Sequence, residues 1–179
     1  MKAAVLIKNG AASKAFELRE VPKPSPAKDE VLIKVSAFGL NFADVMARNG
    51  MYKEAPPLPC VLGYDVAGTV EAVGDEVLNI KKGERVTALT RFGGYAEYAV
   101  TKCTAVTAIP TNMDDATATA LATQYITAYY AAAEAVNLFK GDKVSFYILY
   151  GGVYRETAGG FLAEMRRLPE RGNTAPDIP

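Results

Sequence analysis

The residues that interrupt regular structure are spread unevenly along this 179-residue chain. Glycine and proline recur at short intervals through the first two-thirds and restrict that part to short strands. Many short strands separated by turns favour a small closed or sandwiched β domain, because closure removes exposed strand edges. From Thr111 to Val136 the chain contains neither glycine nor proline and is rich in alanine, which predicts one or two helices.

Apolar periodicity locates the individual elements of this β domain. It predicts a short helix at 42–48 and strands at 2–8, 16–21, 31–35, 66–73, 85–89 and 95–100. Residues 111–114 have the spacing of a capping box, which predicts the start of the alanine-rich helix there. Residues 144–150 form a continuous apolar run, and such a run predicts a strand of a parallel α/β unit.

The composition excludes several kinds of function. The chain has no histidine, so Ser-His-Asp or Cys-His catalysis and histidine-ligated zinc are excluded. Cys60 and Cys103 are interpreted as small buried or half-buried residues rather than a disulfide framework. The 20 basic residues balance 20 acidic ones, which argues against nucleic-acid binding. Neither a membrane span nor a secretory signal is recognisable, so we expect a cytoplasmic protein without a structural metal.

Two polar residues stand at the start of the predicted helix, Asn41 and Asp44. An asparagine there accepts a backbone N–H and an acid suits the helix dipole, so helix capping explains both. The alternative is that the Asn41 amide lies in a cleft and binds a cofactor or substrate, and the two interpretations are compatible. Asp65, at a strand entrance after Gly63-Tyr64, is interpreted as a turn residue rather than an acid catalyst.

Proton donors are few in a chain without histidine: Tyr, Lys, Cys and carboxylic acids of raised pKa. A phenol can donate to a developing oxyanion while its ring lies among apolar side chains. The candidate tyrosines are Tyr52, Tyr64, Tyr125, Tyr129 and Tyr130. For each of them, simple packing in the core is the competing interpretation.

Several ordered motifs resemble the medium-chain dehydrogenase/reductase family, and most closely its zinc-free quinone oxidoreductase branch. The motifs are residues 39–44 (GLNFAD), Gly63, 68–74 (GTVEAVG), 83–86 (GERV), 124–129 (QYITAY) and 141–144 (GDKV). Residues 41–52 also resemble the vesicle amine transport homologues of that branch. Zinc-dependent relatives carry a cysteine near position 38 and a Gly-His-Glu motif, where this chain has Phe38 and Gly63-Tyr64-Asp65.

The resemblance implies a mainly β fold with some α. Residues 1–124 would form a GroES-like β-barrel domain. Residues 125–154 would supply the helix and first strand of an incomplete Rossmann-type dinucleotide-binding unit, and 155–179 a divergent, partly disordered tail. The implied reaction is hydride transfer from NADPH, without zinc, to a small-molecule quinone or to the β-carbon of an enone.

The resemblance also implies roles for particular residues. Asn41, Gln124 and Thr127 would line the nicotinamide side of the cofactor cleft. Tyr52 would close the cleft near the substrate, and Asp44 would orient its neighbours. These roles supply positioning, while the cofactor carries the hydride.

The resemblance ends after Val144. Gly151 and Gly152 resemble the start of a cofactor-binding phosphate loop, but Tyr154 replaces the last glycine of that motif. We hypothesise that the sequence after Val144 is an out-of-frame or otherwise unnatural ending, so that NADPH binds feebly or not at all. The rival is a genuinely short protein in which the β domain does something else.

Two further functions stay open beside quinone or enone reduction. One is the related enoyl-thioester reductase branch, which has similar motifs around Asn41. The other is a catalytically inactive GroES-like module that acts through self-association. Residues 144–150 are strongly β-prone and lack neighbouring strands, which predicts a homo-oligomer.

Overall fold

A computed structural model of the chain describes residues 1–131, and these are mainly strands. The strands are β1 (Lys2–Leu6), β2 (Phe16–Glu20), β3 (Glu30–Phe38), β4 (Cys60–Val61), β5 (Asp65–Val73), β6 (Arg85–Leu89), β7 (Tyr98–Lys102) and β8 (Val106–Ala108). The helices are α1 (Ala12–Ala15), α2 (Phe42–Arg48) and α3 (Asp115–Tyr130), with a single turn of 3₁₀-helix at Cys103–Ala105. The predicted mainly β class is confirmed. The predictions for 144–150, Gly151, Gly152 and the tail lie outside the described residues.

The strands form two antiparallel sheets, one in the order β2-β1-β4 and the other in the order β7-β3-β5-β6-β8. Register shifts at two points of the β3–β5 pair, after Leu32 and after Val35, bend the larger sheet. Residues 95–97 join the sheets. The amide of Ala4 on β1 donates to the Tyr95 carbonyl at 2.8 Å, and the amide of Val35 on β3 donates to the Glu97 carbonyl at 2.9 Å. The result is a curled, partly closed barrel.

The main core lies inside the curl of the larger sheet. Its most buried side chains come from β3, β5 and β6: Val31, Ile33, Val66, Val70 and Val86. Gly68 on β5 lies directly against β3, where a Cβ atom would collide with the carbonyl oxygen of Lys34. Glycine is therefore required at this position for the two central strands to approach each other.

Helix α3 starts at Asp115, three residues later than the start that a capping box at Thr111 predicts, so that prediction is wrong. The cap residue is Asp114, whose Oδ1 accepts from the Thr117 amide at 2.9 Å and whose Oδ2 accepts from the Thr117 hydroxyl at 2.7 Å. The preceding residues are held in a turn, because the Met113 amide donates to the Pro110 carbonyl at 3.0 Å. This turn delays the helix.

Polar contacts attach the start of α3 to the larger sheet. The Asp115 carboxylate accepts from the Ser36 hydroxyl on β3 and from the Arg85 guanidinium on β6. Ala118 then packs against Ala67 of β5. The far end of α3 is thereby aimed along one side of the sheet. The helix is continuous through Gln124, so a domain boundary at that residue stays a prediction.

The remaining differences from the predicted elements are local. Residues 95–97 pair with β1 rather than continue β7, so the strand predicted at 95–100 starts at Tyr98. The shortest elements, α1, β4, β8 and the 3₁₀ turn, were not predicted because two to four residues show no usable period. Within residues 1–131 there is no helix of the length and apolarity that crossing a membrane requires.

Candidate functional site

The first turn of α2 is attached to the loop before β5 through the Asp44 carboxylate. Asn41 is the N-cap residue, and its backbone N–H donates to Asp44 Oδ2 at 3.0 Å. The other carboxylate oxygen, Oδ1, accepts from the backbone N–H of Gly63 at 3.0 Å. Both side chains are buried, with Asn41 6% and Asp44 5% exposed. Asn41 and Asp44 therefore occupy helix-capping positions, and the interpretation that the Asn41 amide binds a ligand in a cleft stays a prediction.

Asp65 is the buried hydrogen-bond partner of the Asn41 side chain. It is the first residue of β5 and has no exposed surface, so its interpretation as a turn residue is wrong. Its Oδ1 accepts from Asn41 Nδ2 at 2.9 Å. Gly39 leaves room for this carboxylate, because a Cβ atom at Gly39 would collide with it. The long-range pair, rather than a local turn, explains why an acid occupies this position.

The pair fixes which way the Asn41 amide points. Because a carboxylate oxygen accepts hydrogen bonds, the NH₂ group of Asn41 faces Asp65 and Oδ1 faces away. Oδ1 is placed as in a capping box at the start of α2 but makes no hydrogen bond of regular geometry. Asp65 Oδ2 is likewise buried without a partner in the described part of the chain. Two buried acceptors thus remain unused at this junction.

Tyr95 completes the buried cluster. It is 7% exposed and its hydroxyl hydrogen-bonds the Asp44 carboxylate. Burial and the neighbouring Asp44 charge raise the pKa of the Tyr95 phenol well above its usual range. Burial also raises the pKa of Asp44, although hydrogen bonds from the Asn41 amide, Tyr95 and the Gly63 amide oppose that rise. Sequence patterns gave no signal for Tyr95 beyond its place in a predicted strand.

A cavity of about 650 Å³ lies between α3 and the larger sheet. Its wall includes Tyr64, Thr90 and Arg91 on one side and Thr123 and Thr127 of α3 on the other. Thr127 lines this cavity, and the role beside a nicotinamide that the resemblance implies for it stays a prediction. The described lining residues do not include Asn41, Tyr52 or Gln124.

Aromatic contacts place Tyr52 against a residue of the cavity wall. The ring of Tyr52 meets the ring of Tyr64 edge-on, with 6.2 Å between centroids. A second ring, that of Phe92, lies at 5.3 Å from the Tyr64 ring. Burial raises the pKa of the Tyr64 phenol far above its usual value, and a hydrogen bond with Tyr52 adds to the rise. Tyr64 therefore remains a neutral hydrogen-bond donor near neutral pH.

The end of α3 carries the other predicted site residues. Gln124 Oε1 and Thr123 Oγ1 are buried and have no hydrogen-bond partner within residues 1–131. Tyr129 and Tyr130 are 48% and 62% exposed, so the interpretation that they are core residues is wrong. Unused polar atoms next to the cavity are what a site for a polar ligand group requires.

Arg91 has an unusual backbone for a residue in the cavity wall. Its φ is +60°, in the left-handed region that side chains rarely adopt. Its guanidinium pairs with Glu54 at 2.9 Å, and its positive charge acts to lower the pKa of nearby Tyr64. The loop after Tyr52 and the loop after β6 are linked by this exposed pair.

The described residues also bear on whether the chain could bind a metal ion. Residues 1–131 hold no group of three or more Cys, Asp or Glu side chains that could bind a metal ion. Cys60 and Cys103 are free and half-buried, which confirms the prediction made for them. The doublet Lys81-Lys82 is exposed at a turn.

Comparisons with known proteins agree with this architecture. Residues 27–111 match the family model of the alcohol dehydrogenase GroES-like domain. The quinone oxidoreductase of Lama guanicoe is 42% identical over 135 residues, which is 75% of this chain and 41% of that protein. The crystal structure of the human synaptic vesicle membrane protein VAT-1 homolog-like protein matches with a TM-score of 0.75 and 36% identity, covering 79% of this chain and 45% of that one.

A second solved structure bears on the cofactor. The Escherichia coli quinone oxidoreductase complexed with NADPH matches with a TM-score of 0.70 and 28% identity, covering 75% of this chain and 41% of that one. The chain thus spans less than half the length of these relatives.

The curled sheets and the matched residues define an alcohol dehydrogenase GroES-like domain. More closely, the chain belongs to the medium-chain dehydrogenase/reductase superfamily, in its quinone oxidoreductase branch. The family resemblance of the sequence motifs and the GroES-like fold are both confirmed.

Proposed function

We propose that this chain takes part in hydride transfer from NADPH to a quinone or an enone, without zinc. The observation that supports the proposal is the cavity lined by Thr127 of α3, by Tyr64 in the loop before β5 and by Arg91 in the loop after β6. A cavity with apolar walls and a few polar groups suits a conjugated carbonyl compound. The relatives named quinone oxidoreductase support the same class of substrate.

The residues around the end of α3 fit a nicotinamide cofactor. The buried and unpartnered Gln124 Oε1 supplies an acceptor, and the Thr127 hydroxyl at the cavity supplies a donor or acceptor. A carboxamide needs both kinds of partner. When bound, NADPH would supply the hydride. Gly151 and Gly152 are proposed to approach its phosphates, and the NADPH complex of the Escherichia coli relative favours NADPH over other carriers.

The cluster at the start of α2 is proposed to position the cofactor side of the cleft. Asn41 would face the nicotinamide, and Asp44 would hold Asn41 and the Gly63 loop in place through its two backbone hydrogen bonds. Tyr52 is proposed to act close to the substrate through its contact with Tyr64. A rigid network of this kind fixes orientation, which lowers the entropic barrier of a bimolecular transfer.

A zinc-free reaction is supported by the residues at the positions where zinc relatives carry ligands. Phe38 packs its ring against Tyr95, with 5.0 Å between centroids, and Tyr64 packs against Phe92. Neither side chain is among the usual zinc ligands, which are Cys, His, Asp and Glu. In this proposal the hydride acceptor is activated by hydrogen bonding instead of a Lewis acid.

The wider setting is also proposed rather than established. Residues 1–124 would be the substrate-side domain and 125–154 the start of the cofactor-side unit, with self-association into a homo-oligomer. The free, half-buried thiols of Cys60 and Cys103 suit a reducing compartment, which favours the cytoplasm.

Turnover tests the proposal directly. The full chain is mixed with saturating NADPH and, in parallel reactions, a quinone, an enone or an enoyl thioester, and NADPH consumption is followed. Because the sequence after Val144 predicts feeble NADPH binding, we expect slow consumption that depends on the quinone or enone and falls in Thr127→Val, with Thr107→Val on β8 as the matched control. Preference for the enoyl thioester would favour that branch. No consumption, together with a dimer in sedimentation, would favour the non-enzymatic module.

A further inference from the structure

Tyr64 is one of the residues that line the cavity between α3 and the larger sheet. It stands in the loop immediately before β5, where the Thr90 amide donates to its backbone carbonyl at 2.8 Å. That bond ties the Tyr64 backbone to the end of β6. The backbone of Tyr64 is therefore fixed to the sheet, although the residue lies in a loop.

The side chain of Tyr64 is held as firmly as its backbone. Phe92 packs on its ring at 5.3 Å, and the edge of Tyr52 meets it at 6.2 Å. The Tyr52 phenol also lies close enough to Tyr64 to raise the pKa of the Tyr64 hydroxyl. Each phenol carries one proton to donate and lone pairs to accept, so Tyr52 can donate to Tyr64 while Tyr64 donates to a third group.

The charge near Tyr64 suits an electron-rich ligand atom. Arg91 lines the same cavity and lies close enough to act on the Tyr64 phenol. A positive charge beside a neutral donor stabilises negative charge on a bound oxygen, although the Glu54 carboxylate, paired with Arg91 at 2.9 Å, offsets part of that charge. The backbone strain at Arg91, with φ at +60°, is the kind that persists where a side chain must be aimed at a site.

We propose that Tyr64 donates a hydrogen bond to the carbonyl oxygen of a conjugated carbonyl compound in this cavity, and that Tyr52 positions Tyr64 from behind. The class of ligand rests on the proposed function. The choice of Tyr64 as the hydrogen-bond donor rests instead on its position in the cavity wall. Tyr64, rather than Tyr52, is thus the phenol that contacts the ligand.

Binding without NADPH tests this assignment. The probes are duroquinone, which has two carbonyl oxygens, and the dimethyl ether of its hydroquinone, which has the same ring and methyl groups but no carbonyl. Their methyl resonances are followed by ligand-observed NMR during titration with the full chain. Full substitution of the ring keeps duroquinone from alkylating Cys60 or Cys103.

The Tyr64→Phe variant removes the hydroxyl and keeps the ring. We expect it to bind duroquinone about five- to tenfold more weakly than the wild type, as loss of one hydrogen bond predicts, and to bind the ether equally well. Tyr98→Phe on β7, whose ring meets Lys23 and does not line the cavity, is the matched control and should change neither affinity.

Tyr52→Phe tests whether Tyr52 positions Tyr64. It also provides a second variant in case Tyr64→Phe fails to fold. It should lower the ratio of duroquinone to ether affinity by about twofold, because the remaining Tyr64 donor loses its polarising neighbour. An unchanged ratio in Tyr64→Phe, equal loss of both probes, or no binding of duroquinone by the wild type would each overturn the proposal. None of these results depends on NADPH turnover, so failure of the proposed function is seen separately.

Discussion

The side-chain amide of Asn41 donates to the carboxylate of Asp65 across 2.9 Å, and this bond joins the start of α2 to the first residue of β5. Asp44 lies beside the pair and raises the local density of negative charge. No lysine or arginine pairs with either carboxylate in the part of the chain that the structure describes. N–H and O–H donors therefore supply the stabilising contacts of this buried acidic cluster.

Replacing Asp65 by leucine is expected to destabilise the chain. The substitution leaves the buried Asn41 NH₂ group without its acceptor, and an unsatisfied buried donor costs about 1–3 kcal/mol. Urea unfolding measures the loss. Asp75→Leu, in an exposed turn, is the matched control and should stay within about 0.5 kcal/mol of the wild type. An Asp65→Leu variant as stable as wild type would show that the hydrogen bond contributes nothing.

The stability of the folded chain is expected to depend on pH through Asp44 and Asp115, with opposite sign for the two residues. Burial raises the pKa of Asp44, so the folded chain binds its proton more tightly than the unfolded chain does. The stability that Asp44 contributes therefore falls as the pH rises from about 3.9, the usual aspartate pKa, through its raised value. The advantage of wild type over Asp44→Asn should shrink across that window and stay constant above it.

Asp115 provides the opposite case. Hydrogen bonds from Ser36 and Arg85 lower the pKa of its carboxyl group. The stability that Asp115 contributes is therefore complete above about pH 3.9 and is lost as the pH falls through its lowered value. Urea unfolding of Asp115→Asn and Asp44→Asn across acidic pH should give slopes of opposite sign relative to wild type. Slopes of the same sign would contradict the assigned environments.

The start of α3 allows a test of which residue, Asp114 or Thr111, caps the helix. Asp114→Ala removes the side chain that accepts from the Thr117 amide and should cost about 1 kcal/mol, as loss of an N-cap does. Thr111→Ala should be close to neutral, because Thr111 lies in the turn before the helix. Thermal or urea unfolding compares the two. A larger loss in Thr111→Ala would restore the start predicted from the sequence.

Local features of the fold were predictable from the sequence. Helix α2 and strand β6 begin and end at the residues predicted for them, since each has a clear period and defined turn residues at its ends. The start of α3 was not, because the spacing of residues 111–114 suits a capping box, whereas the turn after Pro110 keeps these residues outside the helix. Strand β4, with two residues, exists only because β1 lies beside it.

The candidate site shows the same limit. Asn41 and Asp44 were identified because their capping role is local, three residues apart. The pairing of Asn41 with Asp65 spans 24 residues and depends on how β5 is placed against α2. Tyr95 reaches Asp44 only because residues 95–97 join the two sheets. Sequence periodicity carries no information on such contacts, so Asp65 was misinterpreted and Tyr95 was missed.

Hydride transfer is the central claim, and isotope transfer tests it most directly. The full chain is incubated with benzalacetone and saturating NADPH that is fully deuterated at the hydride-bearing carbon of the nicotinamide, and the product is analysed by mass spectrometry and NMR. We predict reduced ketone with one deuterium, at the β-carbon. Reduced ketone without deuterium at that carbon, or no reduced ketone at all, would contradict the claim.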